Sequence, residues 1–234
     1  MGRLRVTSSA WYALHVQDDA YITSENAKRK IAAWNVELSQ YHNRWQKLQL
    51  SSSALLVIDM QEYFLRPDSH AFVPSVLYIL CNVQALVQHF RAHCCPVVFT
   101  RFAVAEGEKD PIGRFWADTV REGAPESRIV EELAPCPGEK IIRKRSYSAF
   151  HGTGLEAALR EKGVTSVVLT GVLTNLCCET AAREAFCRDF DVYIVMDATA
   201  AYTEEMHIAS LKSLAYGCAT PLAVSDILRP TVCS

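Results

Sequence analysis

Residues 168–186 read Val-Leu-Thr-Gly-Val-Leu-Thr-Asn-Leu-Cys-Cys-Glu-Thr-Ala-Ala-Arg-Glu-Ala-Phe. An apolar run ends at Gly171, a polar turn follows, and a helix-like stretch begins near Leu176. A strand therefore hands over to a helix here, and Cys177-Cys178 sits at the junction. Peptide dipoles at a helix start favour a thiolate, and unpaired N–H groups there can stabilise an oxyanion. The position alone makes a cysteine nucleophile an expectation.

The same strand-to-helix alternation extends in both directions. Ala54 to Ile58 is a continuous apolar run, as expected of a strand buried on both faces. Apolar positions at helical spacing mark residues 75–93 as a helix. Further strands are expected at 96–99, 140–143, 166–170, 192–196 and 221–224. Helices are expected at 155–162, 176–189 and 204–216. Six strands alternating with helices imply an α/β fold: a doubly wound, mainly parallel sheet with right-handed crossovers and helices on both faces. Residues 102–128 are polar and rich in charge, which suggests a long loop partly folded over the site.

Upstream lies a different kind of segment. Residues 1–22 show no period. Ser24 can cap a helix on which Ile31, Trp34, Leu38, Tyr41, Trp45 and Leu48 recur at alternating steps of three and four. That stripe can pack on the rest of the chain or on a partner subunit. Ser51-Ser52-Ser53 ends it. The expected organisation is an N-terminal extension, 1–50, and a main domain, 51–234.

The chain has 234 residues, half of them hydrophobic, enough for one full core. A net charge of −2 asks for neither nucleic acid nor an anionic membrane. Nine cysteines without regular spacing, with no CxxC and no zinc pattern, read as reduced thiols. No apolar stretch reaches membrane-spanning length. Met-Gly-Arg-Leu-Arg is followed by no long apolar region, and Val6 stands where myristoylation wants Ser or Thr. A cytoplasmic setting is expected.

In a doubly wound sheet the site lies at the carboxyl ends of the strands. Asp59 directly follows the first strand, Lys144 the strand Lys-Ile-Ile-Arg, and Cys177 the strand ending at Gly171. A carboxylate, an ammonium and a thiol thus meet on one rim. A thiol needs a base and a positive field. Asp59 can take its proton, and Lys144 can hold the carboxylate and favour the thiolate. Each residue also has a plainer reading. An Asp can cap a turn, Lys144 lies in a basic Arg-Lys-Arg run, and a buried Cys is usually a small core residue, as is expected of Cys81, Cys187 and Cys218. Cys178 competes with Cys177, but the two point about 100° apart on a helix, so only one can face the strand ends.

Three motifs in order resemble the isochorismatase-like cysteine hydrolases, which include nicotinamidases, N-carbamoylsarcosine amidohydrolase and ureidoacrylate amidohydrolase. They are Asp-Met-Gln with a nearby Phe (Asp59 to Phe64), Lys-x-x-Tyr-Ser-Ala-Phe (Lys144 to Phe150) and Gly-Val-x-Thr-x-x-Cys-x-x-Thr-Ala-x-x-Ala (Gly171 to Ala185). Asp-Ala at 197–198 fits as well, and the resemblance covers roughly residues 52–228. It implies an Asp59–Lys144–Cys177 triad, a cis peptide between Val172 and Leu173, and an oxyanion hole from the amides of Leu173 and Cys177. It places the nucleophile on the first of the two cysteines.

The departures also inform. The Asp-x-His metal motif of nicotinamidases is replaced by Phe99-Thr100-Arg101-Phe102-Ala103-Val104, so no metal and no cofactor are expected, and nicotinamide is disfavoured. Tyr63 to Pro67, Phe115-Trp116 and 130–135 resemble the true isochorismatases, which cleave a vinyl ether and lack the cysteine. Cys177-x-Glu179-Thr180-x-x-Arg183 is closer to the carbamoyl and ureido amidohydrolases. The expected activity is therefore a metal-independent amidohydrolase for a linear C–N bond in a small amide, ureido or carbamoyl compound. The rivals are a vinyl-ether hydrolase with Asp59 as acid, and a binding protein on the same frame. Arg101 is a candidate for binding a substrate carboxylate, and Phe64, Trp116, Tyr147 and Phe150 are candidates for the pocket wall. A homo-oligomer is expected, because the stripe needs a cover and the resembled family commonly assembles.

Overall fold

The computed structural model describes residues 19–44 and 47–228. Its centre is a six-stranded sheet in the order β3-β2-β1-β4-β5-β6. The strands are β1 (Ser53–Ile58), β2 (Val97–Phe102), β3 (Lys140–Lys144), β4 (Ser166–Val172), β5 (Asp191–Ala200) and β6 (Thr220–Leu222), and every pairing is parallel. Parallel neighbours require crossovers, and helices supply most of them. The strand order reverses between β1 and β4, so ligand-binding crevices are expected at their carboxyl ends.

Continuous apolar strands were expected to be buried on both faces, and they are. Ala54, Leu56 and Ile58 of β1 enter one core layer, and Leu55 and Val57 enter the other. The helices are α1 (Ala27–Leu38), α2 (Glu62–Leu65), α3 (Val76–Ala92), α4 (Pro111–Trp116), α5 (Leu155–Glu161), α6 (Glu179–Phe186), α7 (Glu204–Gly217) and α8 (Val224–Leu228). Val224 thus opens a helix instead of closing the last strand. Strand β5 runs four residues past Met196, through an irregular register opposite Leu169 to Gly171, so Asp197 lies inside the strand.

The N-terminal helix is shorter than its stripe: α1 gives way to 3-10 turns at Ser39–Arg44. Trp34 and Leu38 are fully buried, and Ile31 and Tyr41 pack on the same core layer. The Trp34 indole donates to Glu204 Oε1 at 2.9 Å, and Lys30 pairs with the same carboxylate at the start of α7. Ile31, Trp34, Leu38 and Tyr41 are therefore covered within the chain and give no argument for a partner subunit. Trp45 lies outside the described residues. Among the described residues, no helix is long and apolar enough to cross a membrane.

Candidate active site

Strand β1 ends at Ile58, and Asp59 follows with φ of 47°, a left-handed turn that swings its side chain over the sheet edge. The neighbouring strand fixes it there. Thr100 Oγ1 donates to Asp59 Oδ1 at 2.6 Å and accepts from the Asp59 amide at 3.1 Å. Gln61 then stitches the turn to the end of β2: its amide donates to Phe102 O and Ser127 O, and its Oε1 accepts from the Phe102 amide. The role of Gln in Asp-Met-Gln is thus structural. Gly171 is equally constrained. It has φ of 103°, and an added Cβ would sit 2.0 Å from Ile58 O. Only glycine lets β4 run this close to β1.

Beyond Gly171 the Val172–Leu173 peptide is cis, and a π-helical turn, Thr174–Cys178, leads into α6. This turn separates the two cysteines. Cys178 is wholly buried in the core, its sulfur 4.0 Å from Thr170 O. Cys177 instead faces the strand ends. Lys144, the last residue of β3, reaches both partners: Nζ lies 2.7 Å from Asp59 Oδ2 and 3.2 Å from Cys177 Sγ. Its third contact is the Ser146 carbonyl at 2.9 Å. Arg143, one residue earlier, points the other way to Glu108 and Glu122, as strand alternation demands.

The electrostatics differ from the expectation of a thiolate at a helix start. Burial pushes the Cys177 thiol up to about 12; Lys144 pulls it down, while Asp59 pushes it further up. Burial alone would lower Lys144, but Asp59 and Cys177 more than offset it and hold the ammonium charged. The resting arrangement is an Asp59–Lys144 ion pair beside a neutral thiol.

Asp59 and Cys177 open into a pocket of about 100 Å³. Phe64, Trp116 and Tyr147 line it, with Leu173 and Cys177 at its floor. Trp116 donates its indole N–H to the Tyr147 hydroxyl at 2.6 Å. The 102–128 segment forms one wall, with Ile112 and Trp116 on α4 and Asp118 in the loop that follows. Two expected contacts fall outside. Arg101 lies on the opposite face of β2 from Thr100 and pairs with Glu122. Phe150 is buried in the core near Phe190.

The pocket also includes Tyr63, Phe102, Asn175, Leu176, Tyr202 and Met206. The strand-end rule could have found Phe102 at the end of β2, and Tyr202 and Met206 just beyond β5. Asp118 had no sequence signal. It sits in an irregular loop, accepts from the Tyr63 hydroxyl, and lies 2.7 Å from His70 Nε2.

A sequence profile of the isochorismatase domain matches residues 53–226. The chain belongs to the isochorismatase family. Nicotinamidase 3 of Arabidopsis thaliana is 38% identical over 182 residues, covering 76% of this chain and 88% of that one. A solved cysteine hydrolase from Pseudomonas syringae pv. phaseolicola 1448A superposes with a TM-score of 0.75 at 28% identity, over 79% of this chain and 93% of its own. N-carbamoylsarcosine amidase from Thermoplasma acidophilum gives 0.68 at 28% identity, over 76% and 99%. The chain is thus an isochorismatase-family hydrolase, with amidases among its relatives. The Asp-x-His metal motif expected of nicotinamidases has no counterpart here. The end of β2 offers Thr100, held by Asp59, Arg101, held by Glu122, and Phe102, and apolar Ala103 and Val104 follow it. Among the described residues, no three His, Cys, Asp or Glu side chains gather to hold an ion.

Proposed function

We propose that this hydrolase is a cysteine amidohydrolase acting on a linear C–N bond of a small amide, ureido or carbamoyl compound. The observation that carries the reading is the Lys144 ammonium, 2.7 Å from Asp59 and 3.2 Å from Cys177, behind two residues that both line a pocket. The relatives named nicotinamidase, cysteine hydrolase and N-carbamoylsarcosine amidase support it.

The neutral thiol sets the order of events. As Sγ attacks the substrate carbonyl, its proton passes to Asp59. The thiol then ionises only in step with bond formation, and Lys144 stabilises the charge in transit. The tetrahedral oxyanion rests on the amides of Leu173 and Cys177, each such donor being worth about 100-fold or more in rate. Asp59 returns the proton to the leaving nitrogen, the C–N bond breaks, and ammonia or an amine departs from a thioester. Water, losing its proton to Asp59, attacks that thioester. The second tetrahedral intermediate collapses, expelling sulfur, which regains the proton. The balance is amide plus water giving acid plus amine.

The test is a substrate panel of amides, nicotinamide included, together with ureides and isochorismate. Ammonia, amine or the vinyl-ether product is measured for the wild type, Cys177→Ala and Cys178→Ala. The expected result is amine release abolished in Cys177→Ala and largely kept in Cys178→Ala. Turnover of isochorismate alone, surviving in Cys177→Ala, would replace this reading with vinyl-ether hydrolysis using Asp59 as acid.

A further inference from the structure

The electrostatics of the pocket lining narrow the substrate class. Two carboxylates border the space above Cys177: Asp59 at the floor and Asp118 on the wall. Asp118 also borders a neighbouring polar groove with Arg66, His70 and Arg128, which places it where the pocket opens outward. Asn175 Oδ1, on the nucleophile turn, is buried without a hydrogen-bond partner and lines the same pocket. The remaining wall is largely aromatic, with Phe64, Trp116 and Tyr147 prominent.

The cations nearest this space are already engaged: Lys144 with Asp59 and Cys177, and His70 with Asp118 itself. Arg101 and Arg143 pair with Glu122 and Glu108. Among the described lining residues there is no Lys, Arg or His. A substrate carboxylate entering here meets the Asp118 carboxylate and the Asn175 oxygen in a partly dry, aromatic enclosure with no lining cation to receive it, and like charges repel there. A nitrogen bearing N–H groups meets acceptors, and a positively charged nitrogen also meets ring faces.

We propose that Asp118 is a specificity-determining residue, and that the substrate is a carboxylate-free amide or ureide with an N–H donor or a charged nitrogen beyond its scissile carbonyl. This rests on the amidohydrolase reading and deepens it. It turns the chain away from carboxylated amides, for which Arg101 was the expected anchor.

Binding separates this proposal from the hydrolase reading, because it needs no turnover. Cys177→Ala protein is titrated calorimetrically with benzamide, 4-(aminomethyl)benzamide and 4-carbamoylbenzoate, and with butylurea and 4-ureidobutyrate. The expected order is the aminomethyl compound first, the neutral compounds next, and each carboxylate weaker than its neutral partner by about tenfold or more. Asp118→Asn in the same background should shrink that gap, and Asp118→Lys should reverse it. Wild-type protein is then assayed for ammonia with the same compounds. If the neutral compounds bind preferentially but release no ammonia, the hydrolase reading fails and the preference stands. If the carboxylates bind as well as the neutral compounds, if no compound binds, or if both Asp118 variants keep the wild-type order, the proposal is overturned.

Discussion

Cys177 is a buried thiol set between opposite charges, and its two neighbours should act on it in opposite directions. Asp59 raises its pKa and Lys144 lowers it, around a shift dominated by burial. Removing the carboxylate by Asp59→Asn leaves the sulfur facing an ammonium alone, so the thiol should ionise more easily. Iodoacetamide should then alkylate Cys177 faster near neutral pH, while turnover falls by about 100-fold or more for want of a base. Lys144→Ala should slow alkylation below the wild-type rate and also lower turnover. Alkylation measured against pH for the three proteins decides this. Equal profiles would mean that neither charge senses the sulfur. The three residues were legible beforehand because each ends a strand or opens a helix, positions that topology brings to one rim. Arg101 was misread for want of a register: Thr100 and Arg101 are adjacent, but alternation sends one side chain to Asp59 and the other to Glu122.

At the scale of elements, the π-helical turn that carries Cys177 is gripped by α7. Thr174 Oγ1 lies 2.8 Å from His207 Nδ1, and Ser210 Oγ donates to Thr174 O at 3.2 Å and to Glu179 Oε2 at 2.7 Å. His207 is in turn enclosed by the N-terminal segment, with the Trp34 ring 4.9 Å and the Tyr21 ring 5.6 Å away. Burial pushes the His207 pKa down to about 3, so the ring is neutral at working pH. The extension thus reaches the nucleophile turn through one imidazole, although it lies outside the residues matched by the family profile. His207→Ala should lower kcat by about 10- to 100-fold with little change in KM, because a small misplacement of an attacking atom costs that much. His207→Asn, whose side chain can reach Thr174 as Nδ1 does, should restore much of it. Thermal melts identify the folded fraction. If both variants melt alike and keep wild-type kcat, His207 only fills the core. The stripe on α1 was legible from its spacing, and so were the six strands. Its cover was not, because an amphipathic face records that it needs a neighbour without recording which one. The composition of 102–128 gave the segment over the site, but not the helix α4 inside it, since so short a helix in a charged loop leaves no period to read.

At the scale of the whole molecule, the parallel sheet was the most legible feature, because doubly buried strands and alternating helices allow few other arrangements. Its irregular place is β5, where Asp197 is buried among the packed elements. Its Oδ1 accepts from the Val224 amide at 2.8 Å at the start of α8, and its carbonyl accepts from Asn82 on α3. Burial pushes its carboxyl up from 3.8 to about 6, with Asp226 adding to the rise and the hydrogen bonds opposing it. The sign of the linkage follows. Between about pH 4 and about pH 6 the folded chain keeps a proton that the unfolded chain has lost. This contribution to stability is therefore fully present below about pH 4 and disappears as pH rises through about 6. His207 works in the opposite sense: the unfolded chain gains a proton below about 6.5 that the buried ring refuses until about 3, so acid costs stability there. Asp197→Asn isolates the first effect, since both proteins share His207 and an amide oxygen can still accept from Val224. A shift of roughly two units corresponds to about 3 kcal/mol at most. The variant should therefore be more stable than wild type near pH 7 by up to that amount, and the advantage should vanish near pH 4. Urea unfolding midpoints for both proteins at the two pH values measure the difference. An advantage that stays constant with pH would show that Asp197 does not change its protonation on folding.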